Sequence, residues 1–341
     1  MNVLIHTGPG IGDILQKLPM ASAVKAQYPD ANVDFIMNGL PQNCNINTQI
    51  LECQHYVRNL YWYNVKYKWH CVKLLFQLRN NHYDRGFVRD GGGYIVNEKN
   101  FPWIFRILRW SGVKNYINTF TDIPDTAHFI ERDRFNLNAA GITAPMKLKT
   151  LDEALTDYNF ENCEKLREAG KVIALSVGTN VYTLTDNGKT INYDVKSWAY
   201  EKWRELALRL ADNGFTVALL GGKKEQTELA EKNIIMPEGE RIINFIGRTT
   251  LKQSLALLSM CSLVVGAEGG MLHCASGLGV KTLTIFGGSD YRVWRPAGGE
   301  IVTLGLECAP CFGTKRATEC KYHRCLEDMT VDMVFNKIMM L

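Results

Sequence analysis

The stretch from Leu263 to Gly277, LVVGAEGGMLHCASG, combines residue types that can bind an anion. An apolar run typical of a buried strand is broken by glycines, including Gly269 and Gly270, before a helical pattern begins at Met271. A glycine turn between strand and helix aims backbone N–H groups at one point, where the helix dipole adds partial positive charge. His273, early in the helix, brings a further donor. The residues alone leave two interpretations open, a phosphate-binding turn and an ordinary strand-to-helix connection.

Asp13 is the second residue whose position indicates chemistry. Gly8 and Gly10 fit a dinucleotide fingerprint, but Asp13 stands at its third glycine, where a carboxylate would repel a pyrophosphate. A fixed carboxylate there suits a general base facing a substrate hydroxyl, and the neighbouring Gly12 is a candidate acceptor contact. The alternative is an aspartate that only stabilises the start of its own helix.

A glycine-rich loop follows another candidate strand, in the sequence YDRGFVRDGGG at residues 83–93. In a doubly wound sheet, ligands bind at the carboxyl ends of the strands. Arg89 and Asp90 are therefore candidate acceptor contacts.

The region 44–110 is rich in aromatic residues, which either line a groove or fill a core, and we interpret them as core. Within it, Arg106 and Arg109 lie in the helix-like stretch FPWIFRILRW and form a small basic face. We interpret that face as solvated.

The composition is that of a globular chain whose length allows two domains. Its 341 residues exceed the roughly 150 of one domain, and 46% hydrophobic with 22% charged content is ordinary. The net charge of +4 is too small to argue for nucleic acid and equally fits an anionic small molecule. We expect no membrane-spanning segment and no signal peptide, and therefore reduced thiols in the cytoplasm for the ten cysteines.

Two series of alternating strands and helices must position the candidate residues. Apolar runs at Val3–Ile5 and Val33–Met37 flank a helical pattern, which predicts a β-α-β unit at the start of a parallel sheet. A second series begins at Val172, after a charged, poorly patterned stretch at residues 144–170. We predict an α/β protein of two doubly wound domains that face one another across a cleft.

Such a cleft would bring a base and an anion site together. Asp13 would lie on one wall, and Lys196, the strand tip with Ser176 and Thr179, and the glycine turn would lie on the other. This set suits group transfer from a diphosphate to a hydroxyl, because the carboxylate accepts the hydroxyl proton while lysine and helix N-terminus stabilise the leaving anion. The sequence has no D-x-D triplet, and these groups need no divalent metal at the phosphates.

Several motifs occur in one order along the chain: G-x-G-D at Gly10–Asp13 with Pro19 and Tyr28-Pro29, Lys196-Ser197-Trp198, GG-x-x-E at Gly221–Glu225, and Gly266–His273 followed by Phe286-Gly287. Together they resemble glycosyltransferase family 9, the ADP-heptose:lipopolysaccharide heptosyltransferase family. The resemblance covers most of the chain and is best in the C-terminal half. It implies a GT-B fold and an inverting, metal-independent sugar transfer from a nucleotide-diphosphate donor.

The resemblance also implies roles for single residues. Asp13 resembles the general base of the family, Lys196 the lysine that contacts the donor phosphates, and Glu225 the acid that contacts the nucleoside, at its ribose. Gly270 and His273 fall on the diphosphate loop, which usually reads D-[ST]-G-x-x-H.

This chain departs from that loop at two positions. Glu268 replaces the aspartate and Gly269 replaces the serine or threonine, which removes a hydroxyl contact. The longer Glu268 side chain reaches a different sugar hydroxyl in this interpretation. These two changes put heptose in question as the donor sugar. They affect the expected binding of a diphosphate less.

The resemblance also implies a domain division. We expect an acceptor-binding domain at residues 1–155, a donor-binding domain at 170–325, and a closing helix at 326–341 that packs back on the first domain as in GT-B proteins.

A cysteine cluster lies near the C-terminus, with Cys308, Cys311, Cys320 and Cys325 separated by two, eight and four residues. The short paired spacing is typical of a tetrahedral thiolate site, for zinc by default or iron, and some members of the resembled family carry a similar group. Its role would be structural, because protein ligands fill all four positions, and His323 is a possible replacement ligand. The alternative is four free thiols.

The sequence therefore predicts a cytoplasmic glycosyltransferase with a nucleotide-diphosphate sugar as donor and a hydroxyl-bearing saccharide, protein or modified nucleic acid as acceptor. The competing hypotheses are a GT-B nucleotide-sugar epimerase or hydrolase, and a catalytically inactive nucleotide-binding assembly protein. A dehydrogenase is disfavoured by Asp13. Donor base, donor sugar and acceptor stay open.

Overall fold

The computed structural model describes residues 1–88, 102–113, 115–117, 123–151, 157–179, 182–186 and 189–341. The chain divides into two compact units, Met1–Ala154 and Leu155–Leu341.

The first unit alternates strands and helices: β1 Asn2–Thr7, α1 Ile11–Gln27, β2 Asn32–Asn38, α2 Pro41–Leu51, β3 Asn59–Tyr63, α3 Lys68–Asn80, β4 Arg85–Phe87, α4 Pro102–Trp110, β5 Tyr116–Ile117 and α5 Phe129–Ala139. Its parallel sheet has the order β3-β2-β1-β4-β5. This order is that of a doubly wound sheet, with β1 at its centre.

Burial explains why the apolar runs become strands. Val3, Leu4 and Ile5 of β1 are all buried, as expected for a central parallel strand covered on both faces. Helix α1 is joined to α5 by a buried ion pair between Lys17 and Asp133.

The aromatic residues of this unit are divided between core and surface. Tyr56 and Tyr63 are buried, as interpreted from the sequence, but Trp69 is 86% exposed and Trp110 is 55% exposed. The core interpretation is therefore wrong for those two tryptophans, and also for Tyr67, Phe76 and Trp103, which are exposed as well.

The second unit contains α6 Cys163–Glu168, β6 Val172–Ser176, β7 Tyr182–Asp186, β8 Lys189–Tyr193, α7 Tyr200–Asp212, β9 Thr216–Leu220, α8 Lys223–Glu231, β10 Ile242–Asn244, α9 Leu251–Ser259, β11 Leu263–Ala267, α10 Gly270–Gly277, β12 Lys281–Ile285, α11 Tyr291–Trp294, β13 Glu300–Val302, α12 Lys315–Glu319, α13 Arg324–Glu327 and α14 Val331–Met339. Its parallel sheet has the order β10-β9-β6-β11-β12-β13, and β7 and β8 form an antiparallel hairpin. The doubly wound α/β class predicted from both halves of the sequence is confirmed.

The core of the second unit is built around Trp203, which is fully buried on α7. Trp198 packs edge-on against it with a centroid separation of 4.8 Å, and its indole N–H donates to the Met329 carbonyl at 3.0 Å. Trp198 therefore anchors the segment before α7, which carries Lys196.

The closing helix α14 packs against α7 of the second unit, and its return to the first domain stays a prediction. Its apolar face, including Val334 and Ile338, is buried in the core with α7. Arg209 of α7 pairs with Asp332 and covers the Phe335 ring at 4.0 Å. These contacts bury the apolar face of α14 against α7.

Among the described residues, no helix combines the length and apolar character needed to cross a membrane.

Candidate functional site

Parallel strands bring the candidate donor residues to one edge of the second sheet, because their carboxyl ends meet there. Ser176 ends β6 and lies opposite Gly266 of β11. A Cβ at Gly266 would lie 2.6 Å from Leu272 Cδ2 and 3.0 Å from Ser176 Cβ, so a side chain at this position would force strand and helix apart. Gly266 thus allows α10 to start directly above the strand ends.

Lys196 and Glu268 form an ion pair at this edge, with side chains only 5% and 12% exposed. The Ser289 hydroxyl, which follows β12, donates to Glu268 Oε2 at 3.0 Å. Burial alone raises the pKa of Glu268, but the Lys196 ammonium outweighs it, with smaller contributions from His273 and Ser289, and holds that pKa below its ordinary value. Glu268 is therefore ionised near neutral pH.

The backbone around Lys196 is held from two sides. Asp194 accepts hydrogen bonds from the N–H groups of Lys196 and Ser197 at 3.0 and 2.9 Å. The Val195 carbonyl accepts from Gly288 N–H at 2.8 Å. These bonds fix the lysine to the loop that carries Ser289.

An aromatic ring completes the surroundings of the lysine. The Lys196 ammonium lies 4.3 Å from the centre of the Phe312 ring. Phe312 N–H and Cys311 N–H both donate to the Gly288 carbonyl, at 2.9 and 2.8 Å. The cysteine-bearing loop therefore contributes directly to the position of Lys196.

The start of α10 has the features of an anion-binding helix terminus. Gly269 is its extended N-cap and has no side chain to cap the first turn, and Gly270 is its first residue. His273 is buried in that turn, close enough for its charge to favour ionised Glu268. The first N–H groups of a helix need an acceptor, and a phosphate supplies one.

Glu225 caps helix α8 and also contacts the tip of β6. Its Oε2 accepts from Gly222 N–H at 2.7 Å. A Cβ at Gly178 would lie 2.5 Å from Glu225 Cδ, so the carboxylate lies directly against the backbone of that residue. Lys224 links the same elements, since its ammonium donates to the Thr179 carbonyl at 2.7 Å.

Thr179 is the candidate with an unused polar atom. It is buried, and its hydroxyl oxygen has no hydrogen-bond partner among the described residues. Ser176, three residues earlier, is also buried. The tip of β6 therefore offers a ligand an unused hydroxyl beside Glu225.

In the first unit, Asp13 lies in the first turn of α1 and is half-buried beside Gly12. Its Oδ2 accepts from Gly10 N–H at 3.0 Å, and its carbonyl accepts from the Thr7 hydroxyl at 2.9 Å. Asp13 therefore does stabilise the start of its own helix, and it does so through one of its two carboxylate oxygens. The other proposed acceptor residues, Arg89 and Asp90, lie outside the described residues.

The four cysteines of the C-terminal loop are free and mutually close. Burial, and the neighbouring thiols of Cys311, Cys308 and Cys320, raise the pKa of Cys325 to about 11. In the part of the chain that the structure describes, no group of three or more His, Cys, Asp or Glu residues is arranged to hold a metal ion. The described geometry therefore does not itself show a metal site at these thiols.

Three residues of this site were missed in the sequence: Asp194, Ser289 and Phe312. Ser289 had a usable signal, since it directly follows the glycines at the end of β12. Phe312 had none, because a phenylalanine between a cysteine and a glycine is equally typical of an ordinary loop.

Comparison with known proteins gives a consistent result. A family model described as Glycosyltransferase family 9 (heptosyltransferase) matches residues 121–322. Lipooligosaccharide heptosyltransferase 2 of Campylobacter jejuni is 20% identical, over 99% of this chain and 98% of that protein.

Two solved structures from Escherichia coli cover 100% of this chain, each with a TM-score of 0.66 and 17% identity. One is ADP-heptose lps heptosyltransferase II, covered to 98%, and the other is heptosyltransferase WaaC with ADP-2-deoxy-2-fluoro heptose, covered to 99%. The GT-B fold expected from the sequence is confirmed by these likenesses.

Proposed function

This chain belongs to glycosyltransferase family 9, and we propose that it moves a sugar from a nucleoside-diphosphate donor to a saccharide hydroxyl of a lipopolysaccharide or lipooligosaccharide. The donor class follows from the family, and the acceptor class from the names of the relatives. We further propose that transfer inverts the anomeric centre and needs no metal at the phosphates.

The observation that carries the proposal is the Lys196–Glu268 pair at the glycine-flanked start of α10. A buried ammonium beside a helix N-terminus suits a diphosphate that gains charge as the sugar bond breaks. When the donor binds, Lys196 contacts a phosphate oxygen, and Glu268 accepts hydrogen bonds from sugar hydroxyls. His273 donates to the same diphosphate.

The nucleoside is assigned to the tip of β6. Glu225 accepts a hydrogen bond from a ribose hydroxyl at Oε1, which also lies 3.9 Å from the Lys224 ammonium, while Oε2 caps α8. The unused Thr179 hydroxyl and the neighbouring Ser176 line the same tip and supply further polar contacts.

Asp13 acts as general base in this proposal. Its carboxylate removes the proton from the acceptor hydroxyl, and the oxygen attacks the anomeric carbon opposite the diphosphate. The new glycosidic bond forms as the bond to the diphosphate oxygen breaks, so the nucleoside diphosphate leaves and the configuration inverts. The proton stays on Asp13 until it passes to solvent.

We propose separately that a structural metal is bound by four cysteines, Cys308, Cys311, Cys320 and Cys325. The mutual proximity of the thiols and their paired spacing support it. Zinc or iron bound by four thiolates would brace the loop that carries Phe312 and would take no part in transfer. We also propose a cytoplasmic location, where cysteines are kept as reduced thiols.

Transfer is tested with the full chain, ADP-heptose and other nucleoside-diphosphate sugars, and a lipopolysaccharide core acceptor. We expect a glycosylated product by mass spectrometry and an inverted anomeric linkage by NMR. Free sugar from donor alone would instead indicate a hydrolase, and a thermal shift with ADP without any turnover would indicate an inactive binding protein. Lys196→Ala should abolish the ADP-induced shift, whereas Lys281→Ala, at the exposed opposite end of β12, should retain it.

A further inference from the structure

Helix α3 exposes an apolar stripe on the face opposite its core contacts. Leu74 and Leu78 are buried in the first unit, whereas Trp69, Val72 and Phe76 are 86%, 44% and 66% exposed. These three positions follow the i, i+3, i+7 spacing of one helix face. Single exposed apolar residues are common, but three large ones on one face are the pattern of a binding surface.

Helix α4 repeats the arrangement beside α3. It buries Ile104 and Leu108 in the same core and exposes Trp103 and Trp110, 42% and 55% respectively. The two helices contact each other, so their outer faces belong to one surface of the first unit. We name it the aromatic–basic face, made of the exposed residues of α3 and α4.

Among the described residues of α3, of α4 and of the segment before α3, the charged side chains are all basic. Residues 53–83 contain no aspartate or glutamate, and α4 contains none either. The exposed cations are Lys66, Lys68, Lys73, Arg79, Arg106 and Arg109. The Arg106 guanidinium lies 5.0 Å from the centre of the Trp103 ring, so aromatic and cationic groups are interleaved.

We propose that the aromatic–basic face binds the surface of membranes that carry anionic lipids. Tryptophan rings are favourable at the boundary between headgroups and acyl chains, and lysine and arginine beside them pair with anionic headgroups. A helix that lies on a membrane buries one face in the lipid and keeps its other contacts, which α3 and α4 can do because their opposite faces already form core.

A second copy of the chain suits this face less well. In a symmetric self-contact the same patch meets itself, so the lysines and arginines of both copies would approach one another without acidic partners. Lysine is also depleted at protein interfaces, whereas it is enriched where helices contact anionic lipid. The charge distribution therefore favours a lipid surface.

The consequence for catalysis rests on the proposed function. Docking through α3 and α4 would hold the first unit at the surface where a lipid-linked acceptor is presented. The binding itself does not depend on that function, because it is measured without donor or acceptor.

The test is flotation of the full chain with vesicles of phosphatidylethanolamine and phosphatidylglycerol, compared with vesicles of phosphatidylcholine alone. We expect binding to the anionic vesicles that weakens as salt rises. Trp69→Ser with Phe76→Ser should weaken it by about tenfold or more, because the apolar area of two rings is lost from the lipid contact. Ile235→Ser, which removes an apolar residue 84% exposed in the second unit, is the matched control and should bind as the wild type does.

A charge-reversal variant distinguishes electrostatic binding to anionic lipid from nonspecific hydrophobic adsorption. Lys68→Glu with Lys73→Glu should abolish the preference for phosphatidylglycerol while leaving the thermal transition unchanged, since both side chains are exposed. Equal binding of wild type and Trp69→Ser/Phe76→Ser to anionic vesicles would overturn the proposal. So would dimerisation, seen by analytical ultracentrifugation, that disappears in the same variant, because the face would then be a contact between copies.

Discussion

The ammonium of Lys196 and the carboxylate of Glu268 neutralise each other at the carboxyl edge of the second sheet, where each is almost fully buried. Neither charge is favourable there alone, because burial removes water from both. Their pairing keeps two ionised groups at the start of α10 before any ligand binds. A diphosphate entering the site then meets an ammonium already in place.

This relationship predicts a stability coupling between the two positions. Lys196→Met or Glu268→Gln alone leaves a buried charge without its partner, and each should lower the free energy of unfolding by about 3 kcal/mol. The double variant removes both charges and should be more stable than either single one. Chemical denaturation of all four proteins measures the coupling, and additive losses would show that the pair is not coupled in the folded state.

The same pair predicts a pH dependence of stability. The pKa of Glu268 in the folded protein lies below its ordinary value of 4.5, so its contribution is present above that value and lost as pH falls through the lowered pKa. The difference in Tm between wild type and Glu268→Gln should therefore be largest near neutral pH and shrink in acid. A constant difference between about pH 7 and pH 3 would contradict this assignment.

The regular elements of this site were predictable from sequence, and the contacts between them were not. Apolar runs such as Val172–Val177 predict buried parallel strands, and the carboxyl ends of such strands share one edge by geometry. The partnership of Glu268 with Ser289 spans 21 residues and depends on which two strands become neighbours. Lys196 was placed on the donor wall of the expected cleft, and the family resemblance gave it a specific role at the phosphates, because a lysine in a polar stretch has no distinguishing pattern of its own.

The exposed tryptophans could not be predicted from hydrophobic periodicity. Trp69 and Trp103 share helical spacing with other apolar residues on their helices, and such a stripe usually faces the core. Both helices carry a second apolar stripe that the sheet covers instead. Which stripe is buried is decided by the packing of α3 and α4 on the sheet.

Phe312 is predicted to be a positioning residue for Lys196. Phe312→Leu removes the ring beneath the ammonium while keeping an apolar side chain, and it should raise the donor KM about fivefold, with the acceptor KM unchanged. Phe312→Tyr preserves the ring face and should restore the wild-type donor KM. Steady-state kinetics with donor and acceptor varied separately make the test, and a loss shared by both substrates would indicate a general structural defect.

The cysteine loop gives a prediction about metal content. If zinc or iron binds the thiols, protein purified without chelator should contain about one metal per chain by elemental analysis, as a four-thiolate site requires. Cys325→Ser should lose that metal and lower Tm, because the loop against Gly288 is no longer braced. Cys163→Ser, at a buried thiol outside the loop, is the control and should keep the metal. Metal-free wild-type protein with an unchanged Tm would leave the four cysteines as free thiols.

Asp13 has two candidate roles, and two substitutions separate them. Asp13→Asn keeps an oxygen that can accept from Gly10 N–H, so the start of α1 and the Tm should be retained, while loss of the base should lower kcat by about 10² to 10⁴. Asp13→Ala removes both and should lower Tm as well, by the cost of a lost helix cap of about 1 kcal/mol. Turnover and thermal unfolding of both variants distinguish the cases. Near-normal transfer by Asp13→Asn, with only Asp13→Ala impaired, would assign Asp13 to helix capping, and the base would have to be sought elsewhere in the first unit.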